Sequence, residues 1–275
     1  MSKFTDLVRE SVIKNWFDFQ KYTPKNYTIT FKEEDLREQL YHEIERPVLQ
    51  IYYEYFNEFR QAKCLTRDEN DKINSFKEEI SKYQFQNDLI DSFPELDRYI
   101  KCRVKYFSGY IHKILINLDS WCIDYNFKTL DKIKCFIGDS HNKGQYVCQI
   151  IVDKDKIFYY KPRSSKLESR FNQLLSDFIE IEDFVIYTKE DFSIQKEITY
   201  ITPKNYGDVG KYYYNLGIIS AFFYFFNSAD MHYENMIIKK DMPYFFDLET
   251  ITAINYESLG KELDAFKIYE QFDYR

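Results

Sequence analysis

The sequence predicts an α+β protein: a run of helices, then a small antiparallel sheet, then a mixed second half. Two observations lead there. The 275 residues hold 26 Tyr and 25 Phe but only 7 Gly and 6 Pro, so tight turns are scarce, and long helices with aromatic-packed layers are favoured over a many-stranded sandwich. The hydrophobic pattern also changes period near residue 130, from three-and-four spacing to short β-like runs. With 44% hydrophobic and 30% charged residues, the composition is that of a globular protein and excludes collagen-like, disordered and disulfide-scaffold classes.

In chain order, residues 33–46, 48–62, 71–83 and 96–119 carry apolar residues at helical spacing, with Pro47 and Pro94 as punctuation. From Lys132 the runs KCFIG, YVCQIIV and KIFYYK read as strands, the last two joined by the turn DKDK. FVIYT and FSIQKEI form a second β-like pair. Ser165 and Glu168 have the spacing of a capping box that opens an amphipathic helix with Leu167, Phe171, Leu174, Leu175 and Phe178 on one side. The longest apolar tract, Leu216 to Phe226, is eleven residues long, short of the roughly 18 that cross a bilayer, and reads as a buried helix. NMIIK and PYFFDLE close the series as a hairpin around Lys240-Asp241-Met242. The expected division is a helical front subdomain, 1–130, and a catalytic core, 131–275.

Net charge is −7 without a sustained Lys/Arg stripe, which argues against a nucleic-acid partner. The cysteines (Cys64, Cys102, Cys122, Cys135 and Cys148) are odd in number and form no C-x-x-C pair. They read as small buried hydrophobes of a reducing compartment. The amino terminus has no secretory pattern, so a cytoplasmic location and no membrane span are expected.

Candidate chemistry concentrates in Asp230-Met-His232-Tyr-Glu-Asn235 and, after the hairpin, Asp247-Leu-Glu249. Phosphoryl transfer needs a carboxylate near the attacking hydroxyl, an Asn or acid on one magnesium ion and a second Asp on the metal. Asp230 and Asn235 stand five apart as in a D-x-x-x-x-N catalytic loop. A hairpin then delivers Asp247, and Glu249 shares its side if the strand continues. Lys161 ends an alternating run with Ile157 and Tyr159 and is suited to bind phosphate, while Arg163 and the following helix end add positive potential. Gly138-Asp139-Ser140-His141-Asn142-Lys143-Gly144 reads as a turn able to approach phosphates, and Asp139 and His141 could contribute proton transfer or metal and phosphate contacts. His42 and His112 stand outside such clusters and read as surface or satisfied-core residues.

GDSHNKG, YYKPRS and YYYNLGIISAFFYFFNSADMHYENMIIKKDMPYFFDLET together resemble the dehydration domain of class II, LanM-type, lanthipeptide synthetases, and FPELDRYI resembles the region ahead of its kinase-like core. The likeness spans roughly residues 93–250. It implies a core similar to lipid kinases that uses ATP and Mg²⁺ to phosphorylate Ser and Thr of a ribosomal precursor peptide, then eliminates phosphate. Carried over by position, Lys161 and Arg163 would meet the nucleotide. Asp230, His232 and Asn235 would form the catalytic loop, Asn235, Asp247 and Glu249 the metal site, and Asp139 and His141 would complete it. Full members continue through further dehydration-domain residues and a zinc cyclase. This sequence reaches 26 residues past Glu249, which implies part of a dehydration domain without the cyclase, acting alone or with a complementary synthetase fragment. Two rival expectations are a non-catalytic remnant that binds a peptide or partner, and a metal hydrolase built on His232, Asp247 and Glu249.

Overall fold

The computed structural model describes residues 2–63, 68–82, 84–141, 144–229 and 231–251, with the side chains of 2, 69 and 139–141 excepted. The chain is α+β and divides into two compact units, Met1–Pro162 and Arg163–Arg275.

The first unit is built on helices α1 (Ser2–Trp16), α2 (Glu33–Ala62), α3 (Glu69–Ile80), α4 (Phe85–Ser92) and α5 (Pro94–Tyr125). Pro47 does not separate two helices, as its position suggested, but lies inside α2. Its ring sits on the exposed side. Leu36, Leu40, Ile44, Val48, Tyr52 and Phe56 form an uninterrupted buried stripe past it. An internal proline costs about 3 kcal/mol, whereas each such side chain contributes roughly 1.5–3 kcal/mol on burial, so packing wins. Pro94 behaves as expected, opening α5 at its first turn, where its missing N–H is no loss. Asn126 ends α5 in a left-handed conformation with φ 58. α1 and α4 were not evident from periodicity; α1 contributes the buried pair Val8 and Val12.

Four strands follow the order β1-β2-β3-β4: β1 (Thr28–Ile29) pairs in parallel with β2 (Thr129–His141), and β2, β3 (Gln145–Val152) and β4 (Lys156–Lys161) are antiparallel. The segment from Gly138 is mostly not the turn that its composition suggested. β2 continues through Asp139 to His141, bulged, with Phe136 at φ 60 and Gly138 at φ 70. Bulges let a strand accept these left-handed residues and re-aim the residues beyond them. The DKDK turn is present, and its first two residues, Asp153 and Lys154, have φ 50 and 79. Asp153 is held by Lys128 N–H at 2.8 Å. Cys122, Cys135 and Cys148 are buried, but Cys102 is exposed, because it falls beside rather than on the α5 stripe of Ile100 and Val104; Cys64 lies outside the described residues.

Asp119 ties the loop before β1 to α5. Its carboxylate accepts Lys25 N–H at 3.1 Å, Asn26 N–H at 3.1 Å and the Tyr22 hydroxyl. The arrangement pushes Tyr22 up to about 12, through desolvation first and the Asp119 hydrogen bond and charge second. Asp119→Ala strands those donors, and we expect a loss of about 2–4 kcal/mol. Asp119→Asn, which keeps one acceptor, should lose less. Urea unfolding midpoints measure both, and equal midpoints for wild type and Asp119→Ala would refute the role.

The second unit contains α6 (Lys166–Leu175), the hairpin β5 (Val185–Thr188) and β6 (Ser193–Lys196), α7 (Tyr206–Phe225), and the hairpin β7 (Met236–Lys239) and β8 (Met242–Phe245). Its core gathers Phe171, Leu175, Phe184, Ile219, Phe223, Met242, Tyr244, Leu248 and Ile251. Lys240 turns the second hairpin with φ 63, and the buried Asn215 of α7 donates to the carbonyl of Asp241 at 2.9 Å. Two sequence expectations are corrected here. On α6 the buried face is Glu168, Phe171, Asn172 and Leu175, while Leu167, Leu174 and Phe178 are exposed. And α7 is not a buried helix: only Asn215, Ile219 and Phe223 are fully covered. Among the described residues no helix is long and apolar enough to cross a membrane.

Candidate functional site

Arg163 organises the acidic residues of the second unit. Its Nη1 lies 2.8 Å from Glu168 Oε1, its Nε 2.6 Å from Glu249 Oε1, and its Nη2 donates to Asp247 Oδ1. Each nitrogen of the planar fork meets a different carboxylate, an arrangement that a lysine cannot reproduce. Glu168 is buried, with 1% exposure, whereas Asp247 and Glu249 are half exposed. Burial by itself lowers the guanidinium pKa, but the charges of Glu168, Glu249 and Asp247 outweigh it and raise the pKa above its ordinary value.

Local sequence explains how the four residues meet. Arg163 follows Pro162 and leads into α6, whose first turn holds Glu168, a favourable end for a carboxylate. The capping box expected from Ser165 and Glu168 is not made. Ser165 Oγ lies 2.7 Å from Ser193 Oγ and accepts from Gln195 Nε2 at 2.9 Å, and Glu168 turns to Arg163 instead. Asp247 adopts φ 62, ψ 48, ahead of a 3-10 turn at Leu248–Thr250, and its side chain makes no cap. Aspartate tolerates this left-handed conformation better than most residues. β8 has already ended at Phe245, so Glu249 reaches the same partner as Asp247 through a turn pinned by buried Leu248, not through strand alternation.

The stretch carrying the candidate loop is stapled to this turn at both ends. Ala229 N–H donates to the Thr250 carbonyl at 3.1 Å, and Thr250 Oγ1 donates to the Ala229 carbonyl. Phe246 N–H donates to the Asn235 carbonyl at 2.9 Å, so Asn235 lies across the open end of the β7–β8 hairpin from the residue before Asp247. His232 is exposed, and its Nδ1 accepts Glu234 N–H at 3.3 Å; the neutral ring therefore carries its proton on Nε2. Asp230 lies outside the described residues. Asp139 and His141 are placed on β2 by backbone alone. Lys161 is the last residue of β4, in the first unit, and is buried with 7% exposure.

The structure thus brings Arg163, Asp247 and Glu249 together and adds Glu168, whose spacing from Ser165 suggested a helix cap. Nothing in the spacing of Arg163 and Glu168 signals the pair, because it depends on the bend into α6. Among the described residues no group of three His, Cys, Asp or Glu side chains is arranged to hold a metal ion, so the trio His232, Asp247 and Glu249 expected for a hydrolase is not assembled. Three carboxylates facing one guanidinium leave a formal excess of two negative charges, however. Excess negative charge on oxygen ligands is the donor chemistry that a divalent cation takes.

Two comparisons bear on this arrangement. Residues 93–272 match the family model described as a domain of unknown function, DUF4135. A stretch of 128 residues is 30% identical to the lacticin 481/lactococcin biosynthesis protein LcnDR2 of Lactococcus lactis subsp. lactis. That match covers 42% of this chain and 14% of the relative, so the chain corresponds to a small part of that protein.

Proposed function

The chain belongs to the DUF4135 family, and on that premise we propose that it acts in lanthipeptide biosynthesis as a kinase-like phosphotransferase, phosphorylating Ser or Thr of a ribosomal precursor peptide with ATP and Mg²⁺ as the first step of dehydration. The observation that carries this reading is the pairing of a stapled D-x-x-x-x-N stretch with an Asp-Leu-Glu turn, ordered as phosphoryl transfer requires. The relative's role in lantibiotic biosynthesis supports the substrate class.

In this reading Asp230 accepts the hydroxyl proton as the peptide oxygen bonds to the γ-phosphorus and the bond to the ADP oxygen breaks. His232, held by its Nδ1 contact, orients the loop. Lys161 and Arg163 neutralise phosphate charge, and Asp139 and His141 contribute at the phosphate side. Asn235, Asp247 and Glu249 would hold Mg²⁺, which would supply charge neutralisation at the phosphates. The proposed partners are the precursor peptide and a complementary synthetase fragment. A second reading, a non-catalytic protein that binds a peptide or partner, draws on the Arg163 contacts, which already engage Asp247 and Glu249.

Calorimetry separates the two. Mg·ATP should bind the full chain, and Lys161→Met should weaken binding at least about tenfold, the loss of roughly one charge-assisted contact. Absence of any Mg·ATP binding would reject the phosphotransferase reading. A phosphorylated product, detected by mass on adding a Ser/Thr-containing precursor peptide, would reject the non-catalytic one.

A further inference from the structure

Cys135 and Cys148 face each other across the β2–β3 ribbon. In the antiparallel register Lys134 is the partner of Gln149, so the next residue along β2 meets the preceding one along β3, just ahead of the bulge at Phe136. The Cys135 N–H donates to Gln39 Oε1 at 2.7 Å, and the Ile133 carbonyl accepts from Gln39 Nε2 at 2.9 Å. These backbone groups point to α2 and away from β3. Cys135 therefore occupies a non-hydrogen-bonded position of the ladder, where opposed Cα atoms stand about 4.5 Å apart and side chains approach most closely. That separation lies within the roughly 4.4–6.8 Å that a disulfide spans.

The surroundings set the chemistry. Both side chains lie on the covered face of the sheet, Cys135 with 5% exposure and Cys148 with 0%, and the Cys135 thiol is hydrogen-bonded to Cys148. Cys148 Sγ donates in turn to the Tyr110 hydroxyl at 3.9 Å, which donates to the Tyr146 carbonyl. The hydrogen bond to Cys148 and burial hold the Cys135 thiol well above its ordinary range, so it is protonated and slow to react at neutral pH. A hollow of about 670 Å³ between α2 and β2 reaches Cys135, and in its lining Asp35, Glu38, Glu43 and Asp131 outnumber Lys132 and Lys134. It admits a small neutral oxidant more readily than a bulky anionic one such as glutathione disulfide.

We propose that Cys135 and Cys148 form a peroxide-sensitive dithiol that closes to a cross-strand disulfide. Hydrogen peroxide oxidises the Cys135 sulfur: an S–O bond forms as the O–O bond breaks, and the thiol proton leaves with the departing hydroxide as water. The Cys148 sulfur then attacks the sulfenic acid, the S–S bond forms, and the S–O bond breaks with loss of a second water. In all, two thiols give up two electrons and two protons, and one peroxide becomes two waters.

Peptide mapping of the full chain tests this. After hydrogen peroxide in buffer without denaturant, then catalase, alkylation in denaturant and trypsin, residues 135–143 and 144–154 should be recovered as one linked species that dithiothreitol separates. Cys148→Ser should abolish the link and leave a Cys135 sulfenic acid that dimedone captures, while Cys102→Ser should leave the link unchanged. The oxidised chain should also unfold at a higher urea midpoint, because the bridge restricts the unfolded ensemble. Oxidation of the exposed Cys102 with Cys135 and Cys148 still alkylated would overturn the proposal. So would a bridge from either of them to another cysteine, or a midpoint that falls on oxidation.

Discussion

Asp247→Asn should lower Mg·ATP-dependent phosphate transfer on the order of 10²–10³-fold, the usual cost of removing one preorganised electrostatic contact at a reacting centre. Asparagine tolerates the left-handed conformation of position 247 (φ 62) nearly as well as aspartate, so the substitution removes the charge without straining the turn. Asp247 is half exposed. An ion pair of that kind contributes about 0–1 kcal/mol, so the unfolding midpoint should barely move. Transfer is read as radiolabelled phosphate on a precursor peptide, with the complementary synthetase segment present if activity needs it. Wild-type rates in Asp247→Asn would remove this residue from the site and with it the metal assignment.

The largest effect on stability is expected at Arg163. Arg163→Met removes the cation between three carboxylates and takes its 2.8 Å ion pair from Glu168, which is buried at 1% exposure. Breaking a buried pair in this way costs about 3–5 kcal/mol. Because the cost comes from the buried carboxylate that loses its cation, adding Glu168→Leu should restore part of the stability. Arg163→Lys should fall between wild type and Arg163→Met, since an ammonium cannot address three carboxylates in separate directions at once. Urea midpoints of Arg163→Met, Arg163→Lys, Glu168→Leu and the combination of the first and third supply the cycle. Additivity of the two single losses would show that Arg163 and Glu168 are not coupled.

The same pair bears on cation binding. In the proposed reading Asp247 and Glu249, which pair with Arg163, would also hold Mg²⁺, so the ion and the guanidinium would compete for them. The lanthipeptide reading therefore casts Arg163 as a resident counter-charge that stabilises the acidic turn in the absence of nucleotide.

The contrast between what was and was not legible in the sequence arises from the range of the forces involved. Periodicity and turn chemistry act over a few residues. They were enough for the α+β class, the strands KIFYYK, VIYT and MIIK, the Pro94 start of α5 and the Lys240 turn. The residue types and spacing of the candidate loop and of Asp247-Leu-Glu249 are likewise local, which is why the sequence suggested them, whereas the 3-10 turn that carries Glu249 was not foreseen. Pro47 inside α2, the exposed face of α7 and the bulged course of β2 were not, since each depends on what packs against the element. Glu168 is the clearest case. Its position three residues after Ser165 has the local pattern of a cap, yet Ser165 turns to Ser193 and Gln195, and Glu168 to a guanidinium that only the bend before α6 brings within reach. A one-dimensional pattern could name Arg163, Asp247 and Glu249, but that they meet one another and Glu168 depends on long-range packing, where desolvation makes one pairing far more favourable than its alternatives.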